Sequence, residues 1–468
     1  MTEQNGFTAR NTNKKVDFMV KITFMGAGST VFVRHVIGDC MCTESLRDAH
    51  VALYDINAER LKESEFILNT MNSKFNDNRL KITTHLGVRN RKAALRGANF
   101  VVNAIQVGGY EPSTVIDFEI PKKYGLRQTI ADTLGIGGIF RALRTIPVML
   151  DFAREMEEVA PDAWLLNYTN PMAMLTGAML HGTGVKTVGL CHSVQVCVQS
   201  LLKSLDMDAS PERCANIRAR IAGINHMGWL LEVTENGRDI YPELRKAGER
   251  KLKTWLKARK EDKPGNMIRV AMMKHFGYYV TESSEHNAEY APFWIKNNYP
   301  ELIDRWNIPL DEYPRRCVLQ IDSWKEEYAK LQKDVSTLEL KKSHEYGAGI
   351  MNAITTDTPY QIGGNVLNTG LITNLPSNAV VEVPCLVDGS GVQGTYVGDL
   401  PTQCAAMNMT NINVQLLTIE AALTLSRDRI YQAAMLDPHT AAELSIDDIV
   451  KLCDDLIEAH GDMLPKYF

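Results

Sequence analysis

The chain has 468 residues, of which 45% are hydrophobic and 23% charged, a composition typical of globular proteins with a large core. No apolar stretch is long enough to cross a bilayer, and a formal net charge of −5 gives no general attraction to nucleic acid or anionic membranes. The nine cysteines contain no Cys-x-x-Cys pair, which favours reduced thiols and a cytoplasmic protein over a disulfide framework. We therefore expect a small-molecule partner, with no role for nucleic acid or membrane.

Residues 1–18 are polar and have no apolar segment of the secretory type, so we expect a flexible extension. From residue 19 to about residue 205, short apolar runs alternate with helical stretches, as in a parallel sheet with crossover helices. This pattern predicts an α/β fold with an N-terminal Rossmann-like sheet over residues 19–205. Its predicted strands are Lys21–Met25, His50–Tyr54, Phe100–Ile105, Trp164–Asn167 and Lys186–Leu190.

The alternation of strands and helices changes after residue 205. The pattern there predicts a strand pair near residues 217–233, a basic linker around 250–263 and a charged helix near 315–338. A β-rich stretch over 365–397, a helix over 411–425 and an amphipathic helix from Ile446 follow. We predict a C-terminal α+β domain over residues 206–468.

A short glycine-rich turn follows the first predicted strand. Gly26, Ala27, Gly28 and Ser29 join this strand to a helix start, where backbone N–H groups and the helix dipole favour a pyrophosphate. Asp55 ends the second strand, where an acid can bind the adenosine ribose. Val31 replaces the third glycine of the usual pattern. We expect a dinucleotide site here, and Asp55 favours NAD over NADP.

Several loops converge on the carboxyl edge of the sheet, where open α/β sheets bind ligands. Cys191 and His192 follow the fifth strand, and His226 follows in the next segment. A thiolate and an imidazole suit a borderline divalent ion, although such residues are more often simply packed in a core. The same edge also collects Gly26, Asp55, Gln106 and Asn170.

A polar and aromatic stretch lies between residues 278 and 290, and it is either part of a site or an aromatic wall. Its members are Tyr278, Tyr279, Glu282, His286 and Tyr290. Three function classes remain open from the residues alone. They are a dehydrogenase that releases reduced cofactor, an enzyme that returns the hydride to its substrate, and a nucleotide-binding regulator.

Four motifs of the chain carry a family resemblance. They are Gly26-Ala27-Gly28-Ser29-Thr30, Asn167-Tyr168-Thr169-Asn170-Pro171, Cys191-His192-Ser193-Val194 and Gly223-Ile224-Asn225-His226-Met227. Together they resemble glycoside hydrolase family 4, and the resemblance extends from about Lys21 to Leu464. Within this family the four residues that begin at the cysteine vary with the substrate, and Cys-His-Ser-Val is similar to the form of the α-galactosidase branch.

The resemblance implies hydrolysis of α-galactosides of the melibiose or raffinose type with NAD and Mn²⁺. In this family a hydride leaves C3 of the sugar, the C2 proton becomes acidic, the glycosidic oxygen is eliminated, water adds, and the hydride returns. By analogy Cys191 and His226 would bind the metal, and His192 would be the general acid. The base would be a tyrosine, which we place at Tyr279.

The resemblance also implies substrate contacts. Asn170 matches the family asparagine that contacts the sugar, and Asp132 is expected near the sugar hydroxyls. Gln106 lies where relatives that use phosphosugars carry arginine, so its neutral side chain agrees with an unphosphorylated sugar. The C-terminal domain would complete the metal site, and the relatives form homodimers or homotetramers. An α-galacturonidase, an α-glucosidase, and an NAD-dependent dehydrogenase of sugars or 2-hydroxy acids remain the alternatives.

Overall fold

A computed structural model describes residues 19–468, so the predicted extension over residues 1–18 lies outside the described residues. The described strands belong to one sheet. The strands are β1 (Lys21–Met25), β2 (His50–Asp55), β3 (Lys81–Leu86), β4 (Phe100–Asn103), β5 (Trp164–Asn167), β6 (Lys186–Leu190), β7 (Ile217–Ile224), β8 (Met227–Glu235), β9 (Arg238–Asp239), β10 (Tyr279–Val280), β11 (Tyr360–Leu367), β12 (Val380–Asp388) and β13 (Gly391–Gly394).

The helices cover both faces of the sheet and its ends. In chain order they are α1 (Thr30–Met41), α2 (Ala58–Phe75), α3 (Arg91–Leu95), α4 (Val115–Lys123), α5 (Gly135–Val159), α6 (Met172–Gly182), α7 (Ser193–Ser204), α8 (Pro211–Cys214), α9 (Tyr241–Trp255), α10 (Met267–Phe276), α11 (Ser284–Glu289), α12 (Glu301–Trp306), α13 (Glu312–Lys333), α14 (Gly347–Thr356), α15 (Thr402–Thr424), α16 (Arg427–Leu436), α17 (Pro438–Glu443) and α18 (Ile446–His460). Within residues 19–468, no helix combines the length and the apolar character needed to cross a membrane.

The N-terminal half of the sheet has the strand order β3-β2-β1-β4-β5-β6, and all of these strands are parallel. This is the doubly wound order of dinucleotide-binding folds. The predicted α/β class and Rossmann-like sheet are therefore confirmed. Strand β3 was not predicted, because it is an edge strand whose residues are half-buried or exposed and show no apolar run.

The sheet continues beyond β6 with strands from the second half of the chain. β11 pairs antiparallel with β6, and β12, β7, β8 and β10 follow in that order. Helices α9 to α18 lie between or after these strands along the chain, so the predicted C-terminal α+β class is also confirmed. Two strands, β11 and β12, separate β6 from β7, and the turn between β7 and β8 lies near the carboxyl end of β6.

Part of the predicted basic linker is a helix. α9 extends to Trp255, and Leu244, Ala247, Gly248 and Leu252 lie buried along one side of it. Their spacing of three to four residues is that of an amphipathic helix. The sequence pattern did not predict this helix because many lysines and arginines surround the apolar residues. Its charged residues therefore cover the solvent side of a packed helix.

Candidate active site

The glycine turn after β1 has the shape of a phosphate-binding turn. Gly26 has a φ of +83°, and a Cβ on it would lie 2.7 Å from the carbonyl oxygen of Ala104. The N–H groups of Gly26 and Ala27 both donate to the carbonyl of Tyr54, while Ser29 precedes the first turn of α1 without a side-chain cap. The N-terminus of α1 is therefore open to an anion.

Asp55 lies at the end of β2, directly beside this turn. Its carboxylate accepts the N–H of Gly28 at 2.6 Å and the N–H of Asn57 at 2.8 Å, and the residue is nearly buried. A Cβ on Gly28 would lie 2.8 Å from the same carboxylate. The backbone thus holds Asp55 at the edge of the sheet, where the sequence predicted a ribose contact.

Cys191, His226 and Glu282 form a cluster at the carboxyl end of β6. One ligand atom from each lies within 4.8 Å of the others. Cys191 follows β6, His226 occupies the turn between β7 and β8 with a φ of +64°, and Glu282 precedes α11 with the same φ. The sequence predicted the first two as a pair, and the structure brings them together. The carboxylate adds a third donor.

The electrostatics of this cluster suit a divalent cation. Burial lowers the pKa of His226 to about 4, so its imidazole is neutral and its ring nitrogen is free to bind a metal. Burial opposes ionisation of Glu282, but the adjacent His226 and His286 lower its pKa to about 2. Burial and the acids Glu282 and Glu382 raise the pKa of the Cys191 thiol well above its usual value. A bound cation would reverse that shift, because a coordinating thiol loses its proton.

Tyr290 sets the orientation of the His226 ring. Its hydroxyl lies 3.1 Å from Nδ1, and the opposite nitrogen, Nε2, lies 3.6 Å from the Glu282 carboxylate. Both Tyr290 and His226 are buried. Outer partners of this kind direct the free nitrogen of a ligand histidine toward the metal.

A second polar group adjoins the cluster. The ring of His286 packs edge-on against that of His226, and its Nε2 lies 3.5 Å from the carboxylate of Asp132. Asn170 donates to the other oxygen of Asp132 at 3.3 Å, while its own buried Oδ1 has no hydrogen-bond partner among residues 19–468. The cluster therefore offers an unused acceptor, as expected of an asparagine that binds a sugar hydroxyl.

The loop that carries Asp132 is fixed by a buried carboxylate. Glu289 accepts hydrogen bonds from the N–H groups of Thr129, Ile130 and Ala131 at 2.5–3.2 Å. Three main-chain donors on one side chain leave this segment little freedom. The position of Asp132 thus depends on α11, the helix that also presents His286.

The remaining predicted residues differ in their placement. His192 is exposed at the start of α7 beside the cluster, and Gln106 is exposed on the loop after β4. Tyr279 is fully buried, its hydroxyl donates to Asn266 at 3.0 Å, and its ring stacks on the guanidinium of Arg269. The structure does not bring Tyr279 into the cluster, because its strand β10 pairs with β8 and directs this side chain toward α10.

Sequence reasoning did not assign Glu282, His286 and Tyr290 to the site. It saw a polar and aromatic stretch and left open an aromatic wall. The available signal was their regular spacing of four residues. In the structure only His286 lies within α11, since Glu282 precedes the helix and Tyr290 follows it. All three side chains lie against His226.

These residues fit the two groups that the sequence implied. A thiol, an imidazole and a carboxylate directed at one point are ligands of a borderline divalent ion, and the spare Oδ1 of Asn170 adjoins them. The turn at Gly26 and Gly28 leaves no room for side chains against the neighbouring strands, as a closely approaching pyrophosphate requires.

Comparison with known proteins identifies relatives over nearly the whole chain. The sequence profile "Family 4 glycosyl hydrolase" matches residues 21–207, and "Family 4 glycosyl hydrolase C-terminal domain" matches residues 221–440. An α-galactosidase of Bacillus subtilis is 58% identical over 452 residues, covering 96% of this chain and 100% of its own. An α-galactosidase of Rhizobium meliloti is 33% identical, covering 96% of this chain and 89% of its own.

Solved structures agree with this assignment. A 6-phospho-α-glucosidase from gut microorganisms, in complex with NAD and Mn²⁺, has a TM-score of 0.77 at 19% identity and covers 96% of this chain and 100% of its own. A Thermotoga maritima 6-phospho-β-glucosidase with manganese, NAD⁺ and glucose-6-phosphate has a TM-score of 0.75 at 22% identity, with coverage of 96% and 100%. These likenesses concern the fold. With the two profiles and the Bacillus subtilis relative, they show that this chain belongs to family 4 of the glycosyl hydrolases and is a glycoside hydrolase.

Proposed function

We propose that this protein hydrolyses α-galactosides with the help of NAD and Mn²⁺. The 58% identity to an α-galactosidase over nearly the full length of both chains is the observation that carries the proposal. The motif from Cys191 to Val194 supports it, because Cys-His-Ser-Val is similar to the α-galactosidase form of the family. The sugar is accordingly unphosphorylated, in agreement with the neutral Gln106.

The two cofactors have distinct places in this proposal. Gly26, Ala27, Gly28, Ser29 and Asp55 would hold the dinucleotide, and the residues Cys191 and His226 would hold the metal ion. When bound, the dinucleotide supplies a hydride acceptor for C3 of the sugar, and the ion supplies a Lewis acid for the sugar oxygens at C2 and C3.

The reaction needs one side chain that removes the C2 proton and another that protonates the departing oxygen. In this proposal Cys191 and His226 alone hold the ion. The Glu282 carboxylate lies within 4.8 Å of their ligand atoms and stays free to remove the proton from C2. We assign this role to Glu282 rather than to Tyr279, which lies outside the cluster.

His192 is exposed at the start of α7 beside the cluster, so its imidazole can reach a bound sugar, and we assign it the protonation of the departing glycosidic oxygen. Asp132 and Asn170 would bind sugar hydroxyls, and Gln106 would contact the substrate from the loop after β4.

Other members of the family act on different sugars, and the substrate can be tested directly. An α-galacturonidase of Thermoanaerobacter italicus is 28% identical to this chain, and an α-glucosidase of Erwinia rhapontici is 29% identical. Purified protein with NAD⁺, Mn²⁺ and a reducing agent should release nitrophenol from p-nitrophenyl α-galactoside faster than from the α-galacturonide or α-glucoside. Preference for either rival would refute the sugar assignment, and stoichiometric NADH without bond cleavage would indicate a dehydrogenase.

Solvent exchange tests the assigned base. In D₂O, deuterium should appear at C2 of the released galactose, because the C2 proton leaves during each turnover. Glu282→Gln should abolish this incorporation and hydrolysis, whereas Tyr279→Phe should preserve both. Loss of incorporation in Tyr279→Phe with retention in Glu282→Gln would reverse the assignment.

The proposed thiol ligand indicates the cellular compartment of the enzyme. Cys191 must remain reduced to bind a metal, and the nine cysteines are all unpaired within the described residues. We therefore infer a cytoplasmic enzyme whose partner is a small-molecule α-galactoside. We further propose a homodimer or homotetramer, which size-exclusion chromatography with light scattering would distinguish from a monomer.

A further inference from the structure

A column of buried polar side chains lies beneath the proposed metal site. Its members are Asn365 on β11, Glu382 on β12 and Asn225 in the turn between β7 and β8, and each is at most 1% exposed. Asn365 donates through Nδ2 to Glu382 at 3.1 Å and to the carbonyl of Gly189 at 3.4 Å. The Asn225 side chain lies beside the same carboxyl.

This column connects the two chain segments that carry Cys191 and His226. Gly189, which Asn365 contacts, lies on β6 two residues before Cys191. On the other side, Glu382 pairs with Gly223 on β7, and a Cβ on Gly228 would lie 3.2 Å from its Oε2. Glu382 therefore lies between β6 and the turn that presents His226.

The column has more unpartnered hydrogen-bond acceptors than donors, so it needs a further donor. Glu382 Oε2, Asn365 Oδ1 and Asn225 Oδ1 are buried oxygens without a partner among the described residues, and the one unpartnered donor of the column is Nδ2 of Asn225. The two hydrogens of that amide cannot serve all three oxygens. An ionised carboxylate would add only acceptors to this group, and a buried charge without donors is costly. A protonated carboxyl supplies the missing O–H. Burial is also the main cause that raises the pKa of Glu382 to about 8.

We propose that Glu382 is a neutral carboxylic acid whose O–H and carbonyl groups tie β6 to the β7–β8 turn and so hold Cys191 and His226 at metal-binding separation. It is a positioning residue, since it touches neither substrate nor cofactor in this scheme. The inference rests on the proposed metal role of Cys191 and His226.

Manganese binding without substrate tests this role. Free Mn²⁺ can be followed by electron paramagnetic resonance during titration of the wild type, Glu382→Gln and Glu382→Met. Glutamine keeps the shape and one donor, so its Kd should stay within about threefold of the wild type. Methionine fills the space without hydrogen bonds and should weaken binding by about 10- to 100-fold, as loss of an outer partner does elsewhere. Val381→Ala is the control, because it removes packing from the same strand and should leave the Kd unchanged.

Each outcome has a distinct meaning. Equal weakening in Gln and Met would show that the negative charge is needed, and wild-type affinity in Met would show that the column positions nothing; either result overturns the proposal. If the wild-type protein binds no Mn²⁺, the proposed metal site is refuted. The role of Glu382 proposed here is then refuted as well.

Infrared spectroscopy tests the protonation state without reference to the metal. The difference spectrum of wild type minus Glu382→Gln at pH 7 should contain the C=O stretch of a protonated carboxyl group. The other buried acids are common to both proteins and cancel. A carboxylate band in its place would contradict the neutral acid, even if the methionine variant failed to fold.

Discussion

Cys191 is the donor of the cluster that no other residue type replaces well. A serine hydroxyl keeps its proton at neutral pH, so Cys191→Ser should weaken Mn²⁺ binding by more than about 100-fold, beyond the usual effect of losing an outer partner. Hydrolysis should be lost with it. The Kd for NAD⁺ should change little, because the glycine turn and Asp55 belong to β1 and β2.

Calorimetric titration with each cofactor measures both constants. Cys214→Ser is the matched control, since Cys214 is a half-buried thiol at the end of α8. This variant should bind Mn²⁺ as the wild type does. Metal-dependent hydrolysis by Cys191→Ser at the wild-type rate would exclude the thiol as a ligand.

Tyr290 should affect the metal through His226 alone. Tyr290→Phe removes the hydroxyl that lies 3.1 Å from Nδ1 and keeps the packing of the ring. We expect a Kd for Mn²⁺ about 10-fold higher, with an unchanged Kd for NAD⁺. Tyr279→Phe also removes a buried tyrosine hydroxyl, but one that donates to Asn266, and it should leave the Mn²⁺ constant unaltered. Equal effects of the two substitutions would indicate general destabilisation.

From the sequence pattern alone, a residue could be placed at the site only where that residue directly follows a predicted strand. Cys191 and Asp55 directly follow predicted strands, so the edge rule of parallel sheets located both. Glu282 and His286 reach the cluster because α11 packs against the loop of Asp132, and this is a contact between segments about 150 residues apart. No periodicity within a short window contains that information.

At the level of elements, β3 shows why an edge strand is difficult to predict from sequence. It is exposed to solvent and contains no run of apolar residues. Its central residues are two threonines and a histidine. The Thr83 hydroxyl lies 2.9 Å from Nε2 of His50 on β2 and 3.2 Å from Nε2 of His85 on β3 itself. Strands β1, β4, β5 and β6 are buried on both faces and hence were found from their composition.

This edge should respond to acid. Burial, followed by the nearby Lys21 and Lys81, lowers the pKa of His50 to about 4, and burial and Lys21 lower the pKa of His85. Since the unfolded chain then binds protons more readily than the folded one, stability is complete above about pH 6.5 and is lost as the pH falls through 6.5 toward 4. His50→Gln should reduce this loss.

Amide hydrogen exchange of residues 81–86 at pH 7.5 and pH 5 provides the measurement, after correction for intrinsic rates. Protection of β3 should fall more between these pH values in the wild type than in His50→Gln. His344→Gln, at an exposed position, serves as the control and should behave as the wild type does. Identical pH dependence in wild type and His50→Gln would contradict this role of the histidine.

For the molecule as a whole, the shared sheet argues against two independent halves. β11 pairs with β6, and one contiguous apolar core extends from Val20 to Tyr467. The sequence predicted both fold classes but gave no means to see this pairing, because antiparallel partners so distant along the chain leave no local pattern. The proposed metal site depends on that junction, since Cys191 and His226 come from its two sides.

A buried ion pair also joins the two halves of the chain, at a second place in the fold. Asp117 on α4 accepts hydrogen bonds from Arg144 on α5 at 2.7 and 3.1 Å, and its Oδ1 lies 2.9 Å from Nε2 of His460 at the end of α18. All three side chains are at most 3% exposed. Asp117→Asn leaves the guanidinium charge buried without its counter-ion, which should lower the free energy of unfolding by about 3–5 kcal/mol.

Urea unfolding followed by tryptophan fluorescence and by far-ultraviolet circular dichroism measures this change. Because the sheet and core are shared, the two signals should coincide in one transition for the wild type and, at lower urea, for Asp117→Asn. Asp151→Asn provides a control, since Asp151 is a largely exposed aspartate on α5 and should shift the midpoint little. Separate transitions for the two signals in the wild type would show that the halves unfold independently, and the junction would then not be the element that keeps Cys191 and His226 together.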